Sequence, residues 1–364
     1  MLNNKIVAVV VPAYNEETQI GIVIDTMPEF VDRIVIVNDC SKDKTEEIVK
    51  RYIDDPENLN TIEVFPNPTE IQQTFFNRAE IVELEIRKEE EAKFPKHIVY
   101  NENIKNRIIL INNIENSKAG GAIAVGYKWC RDHSIDCTAV MAGDAQMDPD
   151  ELEDICSPVV YEDIDYVKGN RLSHKAARRM IPKKRYFGNS VLSALTKIAS
   201  GYWGISDTQT GYTAISLRAL KAINLHEIYR NYGCPNDILV KLNIAKCTLR
   251  EIPIKPVYAV GEQSKMKIGK VIPTVSWLLL KSFFKRITIK YFIIDFHPIF
   301  IFYLIAGISG LASIGFLIDI IYGLITYRVT TGTYLGFIAL LVTALLTTGF
   351  GMWLDIYDNE KLQK

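Results

Sequence analysis

The sequence predicts an α/β protein, a mostly parallel sheet flanked by helices, followed by an interfacial amphipathic helix and two C-terminal transmembrane helices. Three observations predict it. Short, almost wholly apolar runs rich in β-branched residues, at 6–11, 34–37, 107–111 and 139–141, alternate with stretches of helical spacing. That is the pattern of strands covered on both faces within right-handed βαβ units. Residues 298–318 and 334–354 are each 21 residues with almost no charge, and at helical rise each extends about 31 Å, enough to cross a hydrocarbon core. Between these regions, 271–291 interleaves Trp277, Leu278, Leu280, Phe283, Phe284 and Ile287 with Lys281, Lys285, Arg286 and Lys290, which suits a helix lying in the headgroup plane.

Taken in order, Pro12 is expected to end the first strand, and 16–27 follows with helical spacing. The second strand stops at Asn38-Asp39-Cys40-Ser41, and 44–52 reads as a helix that Ser41 or Asp43 caps. Residues 54–106 then interrupt the rhythm for longer than an ordinary connection. Within them, 70–93 carries Glu80, Glu83, Arg87 and Lys88 at helical offsets, so a solvated helix or helical hairpin is expected between the second and third strands. A surface insertion without chemistry is its plain reading; a homo-oligomer contact or a lid is the sharper one. The expected division is a catalytic unit over 1–262, a basic juxtamembrane segment over 263–296 and a two-helix membrane unit over 297–364.

Composition narrows the function classes. Across 364 residues, 42 basic side chains against 43 acidic leave a net charge of −1, which gives no support for nucleic-acid binding. Cys40, Cys130, Cys137, Cys156, Cys234 and Cys247 show no C-x-x-C pairing, so reduced thiols are expected rather than a structural zinc site. Lys265, Lys267, Lys270, Lys281, Lys285, Arg286 and Lys290 precede the first apolar run, whereas the link at 326–333 carries only Arg328. The basic flank, the body and the tail at 355–364 are therefore expected on the cytoplasmic side. Residues 1–5 lead directly into a strand-like run, and no secretory leader is expected.

Chemistry is expected where strands end, because parallel α/β sheets bind ligands at the carboxyl edge. Three strand ends carry polar clusters: Pro12-Ala13-Tyr14-Asn15-Glu16, Asn38-Asp39 and Asp144-Ala145-Gln146. Converging carboxylates either raise a pKa or hold a cation. Oxygen donors without histidine favour Mg²⁺ or Mn²⁺, with substrate phosphates completing the shell, which points to a nucleotide diphosphate. Plainer uses exist for each group. Asp39 and Asp144 suit helix caps, as Asn236-Asp237 does, and Gly120-Gly121 suits close packing as well as a phosphate contact.

These residues resemble a known family. VPAYNE (11–16), VNDCSKDKT (37–45), ENSKAGGAIAVGY (115–127) and GDAQMDPDEL (143–152) are similar to family 2 glycosyltransferases of the GT-A fold. VKGNR (167–171), the run from Pro182 through Arg185 to Gly188-Asn189, ASGYWGISDTQTGY (199–212), YGCPND (232–237) and GEQSKMK (261–267) before two spans resemble, more narrowly, the polyprenyl-phosphate glycosyltransferases. The resemblance implies that Pro12, Ala13, Tyr14 and Glu16 line the base pocket, that Asp39 contacts base or ribose, and that Asp144 and Gln146 hold the metal and diphosphate. Many members carry Asp-x-Asp where this chain has Ala142-Gly143-Asp144, so metal binding leans on Asp144, Gln146 and the phosphates, with Asp148 as an outer partner. The shifted glycines at 120–121 leave Lys118 as a nucleotide contact of open role.

On the acceptor side, Arg171 and Arg185 match family positions that grip a lipid phosphate, a task suited to the guanidinium fork, and Lys265 is a further phosphate candidate. A solvated basic surface is the alternative for Arg185. A phosphate monoester already exposes an anionic oxygen near neutral pH, so a general base is not required; alignment and leaving-group stabilisation suffice, and a single displacement inverts the anomeric centre. Asp237 and Asp207 are candidates for orienting sugar hydroxyls or the acceptor. The expected partners are a UDP- or GDP-sugar, a polyprenyl phosphate and the bilayer. A processive polysaccharide synthase and a non-catalytic nucleotide-sugar-binding scaffold are the competing readings.

Overall fold

The computed structural model describes residues 1–364 except 61, 102–103, 181–182, 258–267 and 327–328, and except the side chains of 57, 178, 183–187 and 268–271. The chain opens with β1 (Val7–Ala13), α1 (Ile20–Asp25), β2 (Arg33–Asn38) and α2 (Thr45–Ile53). Next come α3 (Arg78–Glu91), β3 (His97–Val99), β4 (Ile108–Asn113), α4 (Lys118–Asp132) and β5 (Cys137–Val140). They are followed by α5 (Leu152–Tyr161), β6 (Tyr166–Asn170), α6 (Ala177–Met180), α7 (Lys183–Ser200), β7 (Thr213–Ser216), α8 (Leu217–Ala222), α9 (Cys234–Ile244) and β8 (Leu249–Pro253). Finally α10 (Ile268–Thr288) runs through a π-helical segment, Ile289–Ile294, into α11 (Pro298–Thr326) and α12 (Thr331–Glu360).

The strands form one sheet in the order β3-β4-β2-β1-β5-β7-β6-β8. Only β3 and β7 run against the others, so the sheet is mostly parallel, as expected. Alternate strand residues feed two apolar layers. Val10, Val35, Val37, Ile109 and Ile111 pack beneath α4, and Val7, Val9, Val11, Ile34 and Ile36 pack beneath α1 and α5. Each fully buried Val or Ile contributes roughly 1.5–3 kcal/mol, which is why these strands read as unbroken apolar runs.

Four expectations need correction. Pro12 does not end β1; it pairs in register with Val37, and its carbonyl accepts from Gly143 N at 3.2 Å. The β5 ladder has closed at Val140 opposite Val10, so the missing N–H of Pro12 falls where no ladder bond is formed. The helix expected over 16–27 shrinks to α1, because Glu16 N and Glu17 N bond outward to Thr45 Oγ1 (2.9 Å) and Asp43 Oδ2 (3.0 Å). Asn15, at φ +58°, turns the chain toward them.

The insertion is not wholly peripheral. Its helix α3 buries no residue, but β3 extends the sheet antiparallel to β4, and Val64 and Phe94 enter the core.

The fourth correction concerns the basic flank. Trp277, Leu280 and Phe284 are exposed on one face of α10, as an interfacial helix requires. Arg286 and Lys290, however, are buried, and Lys285 pairs with Glu227 at 2.9 Å. Of the four cations read as facing headgroups, Lys281 and Lys285 remain exposed, and Lys281 lies 5.2 Å from the Trp277 ring centroid.

α11 and α12 are longer than the apolar runs that announce them, at 29 and 30 residues. At helical rise they extend about 43–45 Å, enough to cross a membrane with its interfaces. Their apolar windows are only 17% and 11% buried within the protein, so most of their apolar surface is left exposed.

Candidate active site

The parallel ladders bring the carboxyl ends of β4, β2, β1 and β5 to one edge, with Ala13 beside Asn38 and Asn38 beside Asn112. β6 and β8 run in the same direction, so Arg171 and Lys255 leave the sheet on that edge as well. The sequence 142–148 begins where β5 stops. Gly143 lies against Ala13, where an added Cβ would stand 3.3 Å from the Ala13 Cβ. Ala145 takes φ +54°, and Asp144 Oδ1 accepts from Gln146 N at 3.1 Å. This tight turn directs both residues into a cavity of about 70 Å³ shared with Asp148, Glu151, Arg171 and Lys255.

Four residues named from the sequence, Asp144, Gln146, Asp148 and Arg171, thus meet in one cavity. Pro12 and Ala13 adjoin it through Gly143, and Tyr14 is exposed just beyond. A larger cavity of about 350 Å³ lies under the insertion at the opposite end of α4, around Arg33, Trp129 and His133. None of the residues named from the sequence lines it.

Arg171 does not stand alone. Asp207, fully buried, takes its Nε at 2.8 Å, its Nη2 at 3.1 Å and its backbone N–H at 3.2 Å. Desolvation opposes ionisation of Asp207, but the Arg171 guanidinium outweighs it and holds the carboxyl below the ordinary range. Asp207 therefore orients Arg171, where the sequence offered it as a contact to sugar hydroxyls or acceptor. Beneath the pair, burial pushes the Lys168 ammonium down to about 8 despite Asp207 and Glu251 nearby, and its Nζ donates to the Thr210 carbonyl.

Other residues fall elsewhere. Asp39 is buried, and its Oδ1 accepts from Asn113 Nδ2, Ser117 N and Ser117 Oγ at 2.7–2.8 Å. One oxygen of Asp39 therefore joins β2 to the start of α4. Lys118 is exposed at φ +65° and lies outside the cavity. Gly120 serves close approach, since a Cβ would stand 2.1 Å from the Tyr229 carbonyl. Asp237 turns inward to Tyr229 N (2.9 Å) and pairs with Lys241, so it braces the 229–237 loop outside the cavity. Asp148, by contrast, lines the cavity with Asp144 and Gln146 and is engaged there by Lys255 at 3.0 Å and by Asp150 N at 3.0 Å. The backbone of Arg185 lies in α7, but its side chain and all of Lys265 fall outside the described residues.

Sequence reading missed Glu151, Lys168 and Lys255. Glu151 Oε2 is buried with no hydrogen-bond partner among the described residues, and burial raises its carboxyl. The signal for Lys168 was present: a cation between Val167 and Gly169 inside a buried strand needs a specific partner. For Lys255 there was none. No group of three His, Cys, Asp or Glu side chains placed to hold a metal ion occurs among the described residues. Asp144 and Gln146 alone supply two oxygens, which fits a hard cation whose shell is completed by substrate phosphate and water.

The model of the glycosyl transferase family 2 matches residues 8–70, which contain β1, β2 and the VPAYNE and VNDCSKDKT strand ends. Over these residues the chain is similar to the family 2 glycosyltransferases. It is 27% identical over 256 residues to the UDP-N-acetylglucosamine–dolichyl-phosphate N-acetylglucosaminyltransferase of Methanococcus voltae, a match covering 70% of this chain and 87% of that one. It is 24% identical over 295 residues to a dolichyl-phosphate β-glucosyltransferase of Trichomonas vaginalis, covering 77% and 74%. A looser likeness relates it to the crystal structure of glucosyl-3-phosphoglycerate synthase from Mycobacterium tuberculosis, with a TM-score of 0.47 and 15% identity over 78% of this chain and 80% of that one.

Proposed function

We propose that this glycosyltransferase moves one sugar from a UDP- or GDP-sugar to a polyprenyl phosphate held in the membrane. The observation that carries the reading is the cavity that joins Asp144 and Gln146 to Arg171 at the sheet edge, in a chain that ends in two membrane-length apolar helices. The dolichyl-phosphate acceptors named for its relatives support it.

In this reading Pro12, Ala13, Tyr14, Glu16 and Asp39 form the nucleotide side. Asp144 and Gln146 would hold Mg²⁺ or Mn²⁺, which offsets charge on the departing diphosphate. Arg171, oriented by Asp207, receives the acceptor phosphate together with Arg185. The phosphate oxygen is already anionic and attacks opposite the leaving group, so the residues act by alignment and charge stabilisation and the anomeric centre inverts. The return of the chain after α12 to β8 supports placing the body and tail on the same side of the membrane, and the basic flank ahead of the first span favours the cytoplasmic side.

The test incubates the purified full chain with a short polyprenyl phosphate and each UDP- and GDP-sugar in turn, with Mg²⁺ or with chelator. A phosphate-linked glycolipid from one donor, lost on chelation, is the expected mass-spectrometric result. No product from any donor would falsify the reading, and an undiminished rate in chelator removes the metal from it.

A further inference from the structure

The end of α12 re-enters the catalytic domain. Apolar side chains run to Leu354, and from Asp355 the helix turns polar. Asp355 is fully buried and takes the Arg286 guanidinium with both oxygens, at 2.7 Å from Nη1 and 2.9 Å from Nη2. Arg286 in turn donates through Nε to the Ala199 carbonyl (2.9 Å) and through Nη2 to that of Ile198 (3.1 Å), in the last turn of α7. At the adjoining Gly201, φ +76°, a Cβ would stand 2.7 Å from Arg286 Nη1, so the backbone there closes directly onto the guanidinium.

The last residues add a second attachment. Leu249 N donates to the Leu362 carbonyl at 2.7 Å, Lys364 N donates to that of Leu249 at 3.0 Å, and Gly204 N donates to Gln363 Oε1. Both attachments converge on the segment 198–207. That segment ends at Asp207, whose N–H is held, with that of Ser206, by Glu251 Oε1 at 3.0 and 2.8 Å. Glu251 lies two residues along β8 from Leu249, and Asp207 holds Arg171. An unbroken series of contacts therefore runs from the membrane boundary of α12 to the arginine in the cavity.

We propose that Asp355, Arg286 and the tail at 361–364 are positioning elements: they set Asp207 and Arg171 in register with the membrane, so that the phosphate of a membrane-held acceptor meets Arg171. A buried ion pair is a poor way to gain stability compared with apolar packing, and register is its best-attested use. The proposal rests on the reading that Arg171 engages the acceptor phosphate. It makes these residues matter for the acceptor and not for the donor, although none of them lines the cavity.

The experiment uses the full chain in phospholipid vesicles with polyprenyl phosphate and the donor that supports transfer. Asp355→Asn, and separately a chain ending at Glu360, are expected to lower kcat/KM for the polyprenyl phosphate at least about tenfold while the donor KM stays within about twofold. Rates with a short, water-soluble prenyl phosphate should fall less, because that acceptor needs no fixed height. Donor and acceptor parameters falling together, or neither changing, would overturn the proposal. If Asp355→Asn does not fold, the shortened chain decides by the same split. A wild-type chain that uses no prenyl phosphate at all overturns the proposed function, and with it this inference; a wild type that transfers while both variants match it overturns the inference alone.

Discussion

Asp144 and Arg171 carry the account at the scale of single residues, and they differ in how openly the sequence displays them. Asp144 follows the apolar run at 139–141 after only Ala142 and Gly143, so its place at a strand end is legible from local pattern. The setting of Arg171 depends on Asp207, 36 residues on, and no spacing rule reports such a pair. Asp144→Asn is expected to cut turnover about 100-fold or more while the chain still folds, measured as initial rate beside an unchanged thermal transition. Asp207→Asn leaves Arg171 and Lys168 without their shared carboxylate. It is expected to raise the acceptor KM more than the donor KM and to lower stability by about 3 kcal/mol, read by steady-state kinetics and denaturant unfolding.

Lys168 gives a pH prediction. Its folded value is about 8 against an ordinary 10.5, so between these values the folded protein has released a proton that the unfolded chain still binds. Stability contributed at this site therefore rises with pH across that window. Lys168→Met should remove the rise, seen by comparing the pH dependence of Tm for the two proteins between pH 7.5 and 10. A variant with the same slope as the wild type would assign the slope to another group.

Among elements, the insertion and α10 show where sequence pattern stops being informative. The charged face of α3 was legible because it is solvated, while Ile81, Leu84 and Glu90 on the other side are only half-buried. The three residues of β3 were not, since a short edge strand takes its stability from the partner β4 and carries little periodicity of its own. Replacing 70–88 by a short Gly/Ser linker is accordingly expected to change unfolding free energy by less than about 1 kcal/mol, while Phe94→Ala, which empties a core position, costs about 3 kcal/mol or more. In α10, a basic run ahead of an apolar span reads as a headgroup contact. Arg286 is instead claimed by Asp355, 69 residues away, and only tertiary structure distinguishes the two fates.

Over the whole molecule, the alternating strands and the two apolar runs were enough to give a mostly parallel sheet attached to two membrane-length helices. The union of the two parts was not legible, because it is made by buried polar side chains and by a tail that pairs with the first residue of β8. That union gives the account its central claim: sugar transfer occurs at the bilayer surface and onto a lipid phosphate. The most direct measurement compares a polyprenyl phosphate with the matched polyprenol in the same vesicles, with the same protein and donor, by intact mass of the lipid products. The account predicts a single added sugar on the phosphate lipid and none on the alcohol. Sugar on the alcohol at a comparable rate, or a ladder of successive additions, would contradict it.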